Sequence, residues 1–139
     1  MPLSNGMTDY TQQEAVTLQP IGYVVSDVDQ LLRPQEIMAQ PARIVIDPAL
    51  EQGLTGLEAG QRLLVVFQFH RLSGYELLQH PRGDKDRPLR GVFALHSPRR
   101  PNPIGVTEVD LLHREGHVLH VIGLDAINGS PILDLKLNE

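Results

Sequence analysis

The sequence predicts a mainly β protein, a small antiparallel β-barrel with one or two short helices. Short stretches rich in Val, Ile and Leu recur along the 139 residues, with Gly, Pro or polar turn residues between them. A single stretch, PALEQGL, carries a helix start signal, and no internal repeat or low-complexity tract interrupts the pattern. Many short strands joined by turns manage their unpaired edges best by closing into a barrel. The length fits one domain that buries about two-thirds of its unfolded surface.

Residues 1–17 are polar and aperiodic and are expected to form a loose arm ahead of a domain at 18–139. From Leu18, LQPIGYVVSDV is β-rich, and Pro20 and Gly22 suit it to a sheet edge. Residues 27–41 match neither the helical nor the strand period. RIVID, 43–47, alternates as a strand, and Pro48 then stands at the first helical position behind an Asp47 cap. Gly53, Gly56 and Gly60 keep that helix short. RLLVVFQFH, 62–70, is apolar on both faces at first, which marks a central strand ending at His70-Arg71. A long polar loop over 72–90 contains a possible short strand at YELL. In GVFALH, Val92 and Ala94 alternate with Phe93 and Leu95 as in a half-buried strand. Two strands follow in VTEVDLLHREGHVLHVIGLD, turning at Arg114-Glu115-Gly116. The last segment opens on Asn128-Gly129, a strong hairpin signal, and sets Leu133, Leu135 and Leu137 on one strand face against Asp134 and Lys136.

Uncommon choices concentrate in RGVFALHSPRRPNPIGV, 90–106. Pro98, Pro101 and Pro103 lock φ and donate no N–H, so the segment is a stiff loop presenting Arg99, Arg100 and Asn102. Its arginines either face water at a Pro-rich corner or hold an anionic or heteroaromatic ligand on a backbone whose entropy is already spent. Charge leaves the same two readings open. The chain carries −5 overall, yet 82–100 holds six cations against Asp84 and Asp86. That run is a solvated face or a local phosphate site.

Without cysteine there is no disulfide framework and no thiolate metal site. The first residues lack the basic start and apolar core of a signal peptide, and LLVVF is far too short to span a bilayer, so a cytoplasmic protein is expected. Six histidines contain no HExxH pair, and His117 and His120, three apart on a strand, point to opposite faces, so no metal is expected.

RPNPIG, preceded by GVFA and Ser-Pro, closely resembles the signature of the TrmO/YaeB family (TsaA-like domain), tRNA threonylcarbamoyladenosine methyltransferases that use S-adenosylmethionine. The resemblance runs over about 18–136 and takes in Phe69-His70 and the ending DAINGSPILDLKLN, similar to the family's D-x-x-D-G-T-P-x-x-D-I-K-P-Y. It implies a cofactor held by His70, Arg71, His96, Val106 and the turn Asn128, Gly129, Ser130 and Pro131, with Pro34 and Gln35 where the family has a proline loop touching the cofactor. It also implies a homodimer. Three departures are visible: His96 replaces the usual arginine, Asn-Gly-Ser replaces Asp-Gly-Thr, and the ending lacks Pro-Tyr.

Methyl transfer from a sulfonium asks mainly for positioning and a dry pocket. Asn102, Asp134 and Lys136 are therefore the candidates for orienting the acceptor, and Arg100 for holding the loop or a phosphate. The expected activity is S-adenosylmethionine-dependent methylation of the exocyclic nitrogen of threonylcarbamoyladenosine in tRNA. The alternatives are a sensor of the cofactor and a small-molecule methyltransferase on the same barrel.

Overall fold

A computed structural model describes residues 13–27 and 34–139, with Pro34 described by its backbone only. Six strands close into an antiparallel barrel in the order β1-β2-β7-β6-β3-β8. They are β1 (Gly22–Val25), β2 (Ala42–Ile46), β3 (Arg62–Gln68), β6 (Ile104–Glu115), β7 (Val118–Ile122) and β8 (Pro131–Leu137). Outside the barrel lie α1 (Pro34–Met38), a 3-10 segment at Pro48–Leu54, and the two-residue pair β4 (Leu78–Gln79) and β5 (Arg90–Gly91). The predicted mainly β barrel is thus what forms. No helix among the described residues is long and apolar enough to cross a membrane. Residues 1–12 of the expected N-terminal arm lie outside the described residues, and the rest of the arm is exposed.

Every other residue of β3 enters the core, with Leu63, Val65 and Phe67 at most 1% exposed. Ile44 and Ile46 of β2, Val109 and Leu111 of β6, Leu119 and Val121 of β7, and Ile132 of β8 meet them there. β3 pairs with β6 on one side and β8 on the other, as every strand of the closed barrel has two partners, and its second face, with Leu64 and Val66, is half-buried. The 3-10 segment starts where its cap predicts, with the Asp47 carboxylate accepting from the Ala49 N–H at 3.0 Å. Gly116, at φ 58°, makes the β6–β7 turn.

Four expectations are corrected. β1 is not a sheet edge, because it pairs with both β2 and β8 and so completes the closure. Gly22 permits the close approach, since a Cβ there would lie 2.3 Å from the Val45 carbonyl oxygen. GVFALH is not a strand beyond Arg90-Gly91. Val92–Ala94 form a 3-10 turn with Val92 buried and Phe93 exposed, and the Arg100 guanidinium takes the Leu95 and Ser97 carbonyls that a neighbouring strand would have used. Asn128-Gly129 does turn the chain, with Gly129 at φ 85°, but it joins no hairpin, because β7 pairs with β2 and β6 whereas β8 pairs with β1 and β3. Finally, a bulge at Leu133 shifts the β3–β8 register. Ile132 therefore faces inward ahead of the bulge and Leu135 packs on the core after it, leaving Leu133 off that shared face.

Candidate functional site

Barrel strands end where their alternation can no longer be satisfied by neighbours, and at this mouth β3 ends, β6 begins and the 123–130 connection crosses. Gly129 donates its N–H to the Val24 carbonyl at 2.8 Å, while the Val24 N–H donates to the Ser130 carbonyl at 3.0 Å. The turn is thereby stitched onto the end of β1. Asn128 reinforces it by accepting the Ser26 N–H on Oδ1 at 3.1 Å, and the buried Ser130 hydroxyl donates to the Ile127 carbonyl at 2.7 Å. Gly129 faces His70, whose Nε2 would lie 3.7 Å from a Cβ at that position.

A cleft of about 120 Å³ opens there, bounded by His70, Arg71, His96 and Ser130 with apolar walls from Ile37 and Ile127. Ile37 comes from α1 and packs with Ile127 as a small buried cluster apart from the barrel core. The sequence thus named His70, Arg71, His96 and Ser130 at one place, and the fold sets them around this cleft although they lie up to sixty residues apart, with Gly129 facing His70 and Asn128 turned to the Ser26 N–H. Partial burial, and then the neighbouring Arg71 guanidinium, hold the His70 pKa below its ordinary 6.5. That ring is a neutral hydrogen-bonding group at physiological pH.

The cleft does not stand alone. A groove of about 560 Å³ shares His96, Pro98 and Asp125 with it and is lined farther out by Arg82, Arg87 and Arg90. Arg82 is the one non-glycine residue at positive φ among the described residues, at 54°, a local strain of the kind that clusters at binding sites. A further depression of about 290 Å³ again shares His96 and Asp125 and includes Val106 and Arg100. His96 and Asp125 therefore sit where three hollows meet.

Asp125 was not among the predicted site residues. Its carboxylate accepts a hydrogen bond from the Thr107 hydroxyl of β6. The available signal was its place as the first acid of DAINGSP, the motif that also supplied the turn. Other predicted residues stand elsewhere. Asn102 is exposed at the loop tip, where its carbonyl accepts the Ile104 N–H at 2.7 Å. Arg100 holds the loop, as one of its two expected roles required, and Arg99 donates to the Ser73 carbonyl at 3.2 Å. Gln35 is exposed on α1 and does not line the cleft, and the Pro34 side chain lies outside the described residues. Asp134 and Lys136 pair with each other at 3.1 Å beside a separate apolar depression under the Pro48–Leu54 segment, which shares no residue with the cleft.

Similarity to known proteins accords with this geometry. An S-adenosyl-L-methionine-binding protein of Archaeoglobus fulgidus is 34% identical over 122 residues, covering 86% of this chain and 86% of that protein. A probable S-adenosyl-L-methionine-binding protein of the same organism is 43% identical over 97 residues, 70% of this chain but 26% of that protein. The tRNA (adenine(37)-N6)-methyltransferase of Homo sapiens is 39% identical over 89 residues, 62% of this chain and 20% of that enzyme. The crystal structure of TrmO from Pseudomonas aeruginosa superposes with a TM-score of 0.70 at 27% identity, over 91% of this chain and 57% of that one. The chain thus spans only part of several of these relatives. Residues 30–137 match the tRNA-methyltransferase O N-terminal domain, and the chain belongs to that family.

Proposed function

We propose that the protein is an S-adenosylmethionine-dependent methyltransferase that acts on tRNA, with the exocyclic nitrogen of threonylcarbamoyladenosine as the methyl acceptor. The observation that carries this reading is the continuity of a small, partly apolar cleft with a groove lined by three arginines. The cleft alone is smaller than the roughly 300–1,000 Å³ typical of ligand sites, whereas cleft and groove together fall within that range. A nucleoside-sized cofactor suits the inner end, and a nucleotide with its phosphates suits the outer end.

The residues present fit such a cofactor. Ile37 and Ile127 supply apolar walls for a heteroaromatic base, and the Asn128–Ser130 turn brings backbone close to the cleft because Gly129 has no side chain to fill it. Bound there, S-adenosylmethionine supplies a methyl group carried on a positively charged sulfur. A neutral His70 avoids repelling that charge, and the Asp125 carboxylate at the meeting point of the hollows favours it. Arg82, Arg87 and Arg90 are placed to take phosphates while the base enters past His96. The apolar walls exclude water, so the chain contributes mainly orientation and electrostatics. We further propose that the protein acts in the cytoplasm and, as the family resemblance implies, as a homodimer.

The test is to incubate the purified protein with methyl-labelled S-adenosylmethionine and tRNA with or without the threonylcarbamoyl group. Label is expected only in the modified tRNA. Cofactor binding without labelled product from any acceptor would identify a sensor, and labelled small molecules alone would move the substrate away from RNA.

A further inference from the structure

On the outer wall of the barrel, remote in role from the mouth, the β6–β7 hairpin assembles two imidazoles and a carboxylate. The pairing runs Asp110↔Ile122 and Leu111↔Val121, then skips Leu112, so that His113 rather than Leu112 stands directly opposite His120. A bulge of this kind re-aims side chains. Directly opposed residues share a face, and Glu115, two residues beyond His113, lies on that same face. The two rings are stacked, with centroids 4.1 Å apart and planes 10° from parallel. Glu115 reaches both, with Oε1 3.4 Å from His113 Nε2 and Oε2 3.7 Å from His120 Nε2. The His120 Nε2 atom is buried and has no hydrogen-bond partner among the described residues.

From this arrangement we infer that His113, Glu115 and His120 form a binding site for a divalent transition-metal ion of the zinc class. One donor atom from each residue lies within 4.8 Å of the others. In a tetrahedral zinc site with bonds of about 2.0–2.1 Å, ligand atoms are separated by about 3.3 Å, so only a modest contraction is needed. Rotation about χ2, which is soft in histidine, turns the parallel nitrogens inward. Two nitrogens and one oxygen suit zinc and leave a fourth position for water. The charge around the site is mixed, since Arg43 of β2 stands opposite His120 in the ladder and Asp27 lines the same depression. Binding therefore draws on coordinate bonds to neutral imidazoles more than on net charge. A bound ion cross-links β6 to β7 next to the bulge, where the ladder is locally interrupted.

Titration of tag-free protein with zinc chloride, followed by calorimetry and by the imidazole NMR signals, tests the site. One equivalent is expected to bind and to shift the ring signals of His113 and His120. His113→Gln and His120→Gln should each weaken binding at least tenfold, whereas His117→Gln, outside the cluster, should not. Zinc that shifts neither the His113 nor the His120 ring of the unmutated protein overturns the inference, whatever the folding of the variants. So does unchanged zinc affinity when His113→Gln and His120→Gln are combined in one protein.

Discussion

Replacing Gly129 by valine tests the left-handed backbone of the Asn128–Ser130 turn. Gly129 has φ 85°, and the nearest atom to a Cβ there is His70 Nε2 at 3.7 Å, an ordinary contact. A Cβ by itself therefore meets no steric block, and the cost assigned to the substitution is that of the left-handed backbone, which a β-branched residue occupies only as an outlier. That strain is about 1–3 kcal/mol. If the turn relaxes instead of bearing the strain, it must leave its hydrogen bonds to Val24 and move from the edge of the cleft. The same free energy then appears as a roughly 5- to 150-fold loss of S-adenosylmethionine affinity. Asparagine, which tolerates positive φ, should cost much less and serves as the control. Urea unfolding and binding calorimetry on both variants measure the two effects. A valine variant as stable as the parent would contradict the left-handed turn. One that is destabilised yet binds cofactor normally would remove the turn from the site.

Salt separates RNA from small-molecule substrates. If three of the groove cations contact phosphates, raising salt from about 50 to 200 mM should weaken RNA binding roughly twentyfold, at a slope of about −0.7 per contact. Replacing Arg87 and Arg90 by alanine should flatten that slope by up to about 1.4 and leave cofactor affinity nearly unchanged, so a salt-independent affinity would argue against the groove. Asp125→Asn should weaken binding of the sulfonium cofactor about fivefold relative to its neutral demethylated product, on the basis of about 1 kcal/mol for a solvated charge pair; equal losses for both ligands would remove the charge argument. Because the folded-state pKa of His70 lies below 6.5, the unfolded chain binds more protons between the two values. Stability should therefore fall as pH drops through about 6.5 and level off below the folded pKa, and His70→Gln should remove that part of the slope in urea midpoints. Gly105→Ala would place its Cβ 2.5 Å from Phe67 Cζ inside the barrel, and an overpacking loss of about 1–3 kcal/mol is expected in the same unfolding assay.

What the sequence determined by itself was local. The strand character of β3, the Asp47-Pro48 start, the Gly116 turn and the stiff proline-rich loop each rest on a few adjacent residues whose dihedral preferences hold wherever the chain goes. The residues around His70, His96 and Asn128–Ser130 were named through motif strings that resemble a family signature, and the fold sets His70, His96 and Ser130 around one cleft. Partnership was not local. Asn128-Gly129 reverses the chain, but which strand the next segment joins depends on strands far away in sequence, and here β1 and β3 had been left as its neighbours. Bulges at Leu112 and Leu133 arise only against a partner, so the faces assigned to the residues beyond them could not be read from one strand's alternation. Asp125 at the barrel mouth, Asp134 and Lys136 away from it, and His113 stacked on His120 are all consequences of register, a property of strand pairs that no single stretch of sequence contains.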